Sequence, residues 1–152
     1  KVNVDKQREH TYVQILSKKI ISEYYKNNRV YSSHLVAYTA FKMLERKNSK
    51  LDLYSILRLS EDDLTLDYEA FKTNFKKLRG IILALNEQGK VDVNDKLKNT
   101  TDKSIIYGLN NIGMYHAKRP LIKSKDQILI LNASTLYYYH NRLEGYGLEK
   151  HI

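Results

Sequence analysis

A mainly α-helical fold with one small β-hairpin is what this sequence predicts, and three observations predict it. Apolar residues recur at spacings of three and four along most of the chain, the pattern of helices with one buried face. Pro occurs once, at Pro120, so little interrupts that pattern. β-branched alternation is confined to the stretch around Ile128 and Ile130, enough for one hairpin arm. A chain of 152 residues can bury a substantial core, and no repeat or low-complexity linker divides it, so residues 1–152 read as a single helical domain. Lys1 stands where an initiator Met would, which predicts a piece excised from a longer chain.

The first segment, "VDKQREHTYVQILSKKIISEYYKNN", places Val13, Leu16, Ile20 and Tyr24 on one face of an amphipathic helix that stops near Asn27 and Asn28. In "VYSSHLVAYTAFKMLERK", Ser32 or Ser33 is expected to cap a helix that buries Leu35, Val36, Ala40, Phe41 and Leu44. Ala37 and Ala40 are small enough to let a neighbouring helix approach closely. The stretch "SKLDLYSILRLSEDDL" predicts a short helix and a second start at Ser60, with Asp63 completing a capping box. Tyr68, Phe71, Phe75, Leu78, Ile82 and Leu85 form the clearest apolar stripe, ended by a left-handed Gly89. That long helix is expected to be the spine of the fold. Ile105, Ile106, Leu109 and Ile112 make another helical face behind a Thr101 or Asp102 cap. A polar turn at 124–126 then serves the hairpin, and Asn132 or Ser134 opens a last helix that Gly145 ends.

Lys and Arg number 26 against 17 Asp and Glu, a formal charge of +9. A basic surface favours nucleic acid, anionic lipid or an acidic protein without choosing among them. The absence of Cys excludes disulfides and thiolate metal sites, and no apolar run approaches the roughly 20 residues that span a bilayer. None of His10, His34, His116, His140 and His151 has another His three to five residues away, so a local two-histidine zinc site is not expected. Glu61, Asp62 and Asp63 suit a helix N-terminus. There is no phosphate loop and no nucleophile elbow, and Ser33 beside His34 reads as a helix start. No catalytic, cofactor or metal residue is assigned.

Two surface candidates remain. His116, Lys118, Arg119, Lys123 and Lys125 cluster around "YHAKRPLIKSK". A helix followed by a two-stranded basic arm leaves room for a winged-helix-like second half that meets nucleic-acid phosphates. Charged turns also keep sheet edges from pairing, and the preceding helix is poor in base-reading side chains. In the closing stretch, Tyr138, Tyr139, His140, Asn141 and Arg142 point around most of a helix, which predicts a hydrogen-bonded docking surface. His140 has no evident acid or nucleophile partner, so this stretch is not expected to be a reactive site.

Four stretches in order, "RVYSSHLVAYTAF", "DLYSILRL", "NNIGMYHAKRPL" and "LYYYHNRLEGYGLE", resemble the region downstream of the catalytic core in bacterial membrane-type glycerol-3-phosphate acyltransferases. A Tyr-Tyr-x-Asn signature of that family matches Tyr138, Tyr139, His140 and Asn141. The resemblance implies acyl transfer from an acyl-thioester to glycerol 3-phosphate, in phospholipid synthesis, by a chain at the cytoplasmic face of the membrane. That chemistry uses a His-x-x-x-x-Asp unit, yet Ile15, Thr39, Leu121 and Gly145 occupy the fifth position after His10, His34, His116 and His140. The resemblance therefore implies an accessory region, inactive alone, partnered by the catalytic domain and by anionic headgroups or acyl-carrier protein. A nucleic-acid-binding module is the alternative.

Overall fold

A computed structural model describes the backbone of residues 2–27, 29–114 and 118–152, and in the first helix the side chains of residues 6–20 alone. Along the chain run α1 (Val2–Asn27), β1 (Arg29–Val30), α2 (Ser32–Lys47), α3 (Leu53–Ile56), β2 (Thr65–Asp67), α4 (Tyr68–Glu87) and β3 (Asp92–Val93). Then follow α5 (Thr101–Asn111), β4 (Leu121–Ser124), β5 (Gln127–Ile130) and α6 (Ala133–His140). Short 3-10 turns at Glu61–Asp63, Asp95–Lys98, Asn141–Leu143 and Leu148–His151 complete it. The fold is mainly α with a small β element.

Helix α2 occupies the centre, where the sequence pattern had pointed to α4. Its consecutive residues Leu35, Val36, Ala37, Tyr38, Thr39, Ala40 and Phe41 are all buried, as a helix must be when neighbours surround it. Those neighbours are α4, α5 and α6. Thr39, polar in this apolar setting, donates to the Leu35 carbonyl one turn back at 2.7 Å. Helix α5 approaches closely at Gly108, which has no side chain to collide with Ser32 and Val36; an added Cβ would lie 2.7 Å from the Ser32 carbonyl oxygen. The expected serine cap of α2 is absent: Tyr31 holds the N-cap position without a side-chain bond, and Ser32 Oγ is buried with no partner among the described residues.

Helix α4 behaves as its stripe predicts, with Phe71, Phe75, Leu78 and Ile82 fully buried. Its end is a Schellman motif: Lys90 N donates to the Leu85 carbonyl and Gly89 N to that of Asn86, with Gly89 at φ +71°. Its start differs from expectation. Ser60 bonds Asp63 side chain to side chain at 3.0 Å and opens only a 3-10 turn, whereas Asp67 caps α4 by accepting from Ala70 N. Strand β2 intervenes because Leu66 pairs with Ile128 and both are buried. Helix α5 is capped by Thr100, one residue before the expected positions, and Ile106 turns outward with 55% of its surface exposed.

The hairpin of β4 and β5 is therefore part of a three-stranded antiparallel sheet in the order β2-β5-β4. With the one-turn α3 and the two-residue β3 set aside, the succession α2, β2, α4, α5, β4, β5, with β5 in the middle of the sheet, resembles winged-helix connectivity. It departs from that pattern between α4 and α5, where residues 88–100 replace a tight turn. Arg79 of α4 ties this connection down by donating to the Leu97 and Asn99 carbonyls. A two-residue parallel pairing of β1 with β3 holds its other end.

Helix α1 spans the expected residues, but among its described side chains Tyr12, Val13, Ile15, Leu16 and Ile20 are all exposed. The apolar face predicted there is not covered; Tyr24 lies outside the described side chains. Among the described residues no helix is long and apolar enough to cross a membrane.

Candidate functional site

The densest arrangement of ionisable and aromatic groups lies where α6 and the turns after it pack on α2. Helix α6 is opened by Asn132, whose side chain accepts from Thr135 N, and ends at His140, five residues before the Gly145 expected to stop it. The chain then tightens into the 3-10 turn Asn141–Leu143, and this bend brings Glu144 back beneath the His140 ring. The ring is 2% exposed and lies against Phe41 and Tyr38, with centroids 4.6 and 5.5 Å away.

Both ring nitrogens of His140 are occupied. Nδ1 lies 2.9 Å from the Tyr137 carbonyl oxygen and Nε2 lies 2.7 Å from Glu144 Oε1, two acceptors of which a neutral ring can donate to only one. His140 thus has an acid partner after all, at i+4. The i,i+4 spacing itself was the available signal, since those positions are neighbours on a helix face. Lys42 of α2 closes the cluster, its Nζ 2.8 Å from the same Glu144 oxygen and 3.2 Å from Glu45. Burial would raise the Glu144 carboxyl, but Lys42 and His140 outweigh it and hold that group below its ordinary range. Burial opposes the charge on Lys42, yet Glu144 and Glu45 together keep its ammonium above the usual value. Burial also pushes the His140 imidazole down, against the pull of the Tyr137 carbonyl. Tyr38, fully buried, reaches Glu149 with its hydroxyl at 3.4 Å; burial and the charges of Glu144 and Glu149 raise its pKa. Arg46 donates to the Glu149 carbonyl, anchoring the last turn.

Beside this seam an open pocket of about 440 Å³ is lined by Lys42, Glu45, Arg46 and Glu149 with Leu51 and Ile56. Lys42 and Glu45 pair with each other there, and Arg46 is held by the Glu149 backbone carbonyl. Chemically the cluster joins elements a hundred residues apart, and its one imidazole has no free nitrogen to offer a substrate. Among the described residues no group of His, Asp and Glu is placed to hold a metal ion.

The five residues expected to form a docking surface divide. His140 faces inward, and Tyr139 is half-buried with its ring 6.5 Å from that of His34. Tyr138, 65% exposed, points outward with Asn141 and Arg142. Arg142 acts across the gap on His34, whose imidazole falls from 6.5 to about 4, chiefly through burial and then through the Arg142 charge.

In the basic hairpin, Lys118, Arg119, Lys123 and Lys125 are exposed; His116 lies outside the described residues. Lys125 forms the turn at φ +54°, and Lys123 Nζ stands 4.1 Å from the centroid of the Tyr68 ring. None of these four cations is in an ion pair among the described residues. No family model, curated protein or solved structure matches the chain.

Proposed function

We propose that this chain is a non-catalytic helical accessory region of a glycerol-3-phosphate acyltransferase, an enzyme that moves a fatty acyl group from an acyl-thioester to glycerol 3-phosphate. One observation carries the reading. Two of the four stretches on which the resemblance rests, "RVYSSHLVAYTAF" and "LYYYHNRLEGYGLE", pack on each other as α2 and α6 with its following turns. Across that seam Phe41 meets His140, Tyr38 reaches Glu149 and His34 lies near Tyr139, while Tyr138 and Asn141 of the signature point outward.

On this reading the uncovered face of α1 meets the catalytic domain of the same chain. The basic surface then turns toward anionic headgroups or an acidic carrier at the cytoplasmic face of the membrane. The role is structural or regulatory. The test is a longer native chain assayed for acyl transfer to glycerol 3-phosphate, then with residues 1–152 deleted. Activity that depends on the region supports the proposal; a full-length protein without transferase activity overturns it.

A second reading, a nucleic-acid-binding module using Lys118, Arg119, Lys123 and Lys125, draws support from the β2-β5-β4 sheet order. Against it, α5 turns Ile106 outward where a base-reading helix needs donors and acceptors. Duplex DNA affinity that falls steeply with salt would favour it.

A further inference from the structure

Between α5 and β4 runs a groove of about 370 Å³, lined by Ile106, Leu109, Leu121 and Ile122, with Arg119 and Lys123 on its rim. Leu109 and Leu121 are 8% and 0% exposed, so the apolar floor is recessed, while the cations stand out in solvent. From 118 to 126 the chain carries four cations and one carboxylate, Asp126. Those cations have no ion-pair partner among the described residues, in contrast to Lys42 of α2, which meets both Glu45 and Glu144. We infer that this groove is a docking site for an acidic segment of a partner protein that inserts an aliphatic side chain between α5 and β4.

The chemistry selects that occupant. A floor too deep for a flat surface favours a protruding side chain over a bilayer, which rewards apolar tips that project beyond the charges. Nucleic acid would meet the cations yet gain nothing from an aliphatic slot. An acidic segment with an aliphatic anchor answers both halves: the apolar contact supplies affinity and the unpaired cations supply steering and orientation. The inference does not depend on the acyltransferase reading, because it rests on the groove's apolar floor and its cationic rim alone.

The experiment uses three labelled helical peptides: one of Glu and Leu, one in which Gln replaces every Leu, and one in which Lys replaces every Glu. Anisotropy titration should find binding of the Glu/Leu peptide alone, weakening about tenfold as salt rises through the range that screens surface charges. Arg119→Glu and Ile106→Asn, both at exposed positions, should each weaken it about tenfold while leaving the unfolding midpoint unchanged. Equal binding of the Leu-free peptide, or no effect of Ile106→Asn, would overturn the apolar half of the inference. No binding of the Glu/Leu peptide at low salt would overturn it entirely. Duplex DNA or phosphatidylglycerol vesicles that displace the peptide, and are themselves sensitive to Arg119→Glu but not to Ile106→Asn, would assign the face to nucleic acid or lipid instead.

Discussion

His140 Nε2 lies 2.7 Å from Glu144 Oε1, one turn further along a chain that has already left the α-helix. The same oxygen accepts from Lys42 of α2, so one carboxylate joins the end of α6 to the centre of the fold. Lys42 is largely buried, with 16% of its side chain exposed, and a cation there needs its partners. Glu45 would remain if Glu144 were lost.

Glu144→Gln is therefore expected to destabilise the protein by about 1–2 kcal/mol, the scale of a charge-assisted hydrogen bond with a second partner in reserve. Adding Lys42→Met should recover part of that loss, because the poorly paired cation leaves with the carboxylate. Denaturant midpoints of wild type, both single variants and the double variant give the coupling. Strict additivity would mean that the Lys42–Glu144 pair contributes nothing.

Acid should loosen the same seam through His34. Its imidazole sits between Tyr31, 5.4 Å away edge-on, and Tyr139, with the Arg142 charge nearby, and its pKa is lowered from 6.5 to about 4. As pH falls below 6.5 the unfolded chain takes up a proton that the folded chain refuses. Stability is thus complete above that value and is lost progressively down to about 4, by at most on the order of 3 kcal/mol, and less where solvent reaches the half-buried ring. Carboxylates titrate in the lower part of this window, so the informative quantity is a difference. His34→Gln should show a shallower loss of stability between neutral pH and pH 4.5 than wild type. An NMR titration placing His34 at its ordinary pKa would refute the argument.

How far these features could be seen beforehand follows the distance over which each is decided. The α4 stripe and its Gly89 stop depend on residues a few positions apart, and both were legible. Strand β2 was not, because Thr65–Asp67 has little strand character until β5 supplies its partner some sixty residues later. The central position of α2 was obscured for the opposite reason. Its buried face runs all round the helix and includes Tyr38 and Thr39, so it lacks the one-sided period that marks α4. At the candidate site, the spacing of His140 and Glu144 was present in the sequence, whereas Lys42, Tyr38 and Glu149 were joined only by the fold.

Ser32 offers a test of sign. If its hydroxyl capped α2, Ser32→Ala would cost about 1 kcal/mol. Instead Oγ is buried without a partner among the described residues, and a buried hydroxyl left unbonded is itself a cost. Ser32→Ala is expected to leave stability unchanged or raise it by up to about 1 kcal/mol, read from the thermal midpoint. A clear loss would mean that the hydroxyl has a bonding role in solution.

Gly108→Ala sets two effects of opposite sign against each other. Alanine is the better helix former by about 1 kcal/mol, and on an exposed helix the change would stabilise. At this position a Cβ would sit 2.6 Å from Val36 Cγ1 and 2.7 Å from the Ser32 carbonyl oxygen. The valine methyl could rotate aside, but the carbonyl belongs to the first turn of α2 and moves only if the helices separate. Separation would open gaps around Ile105 and Leu109, which pack into the same core. The steric term should win, with a net loss of about 1–3 kcal/mol. Combining Gly108→Ala with Val36→Ala relieves one clash and leaves the backbone one, so the double variant should be no more stable than Val36→Ala alone. A double variant more stable than Val36→Ala would show that Val36, not the α2 backbone, sets the distance between the two helices.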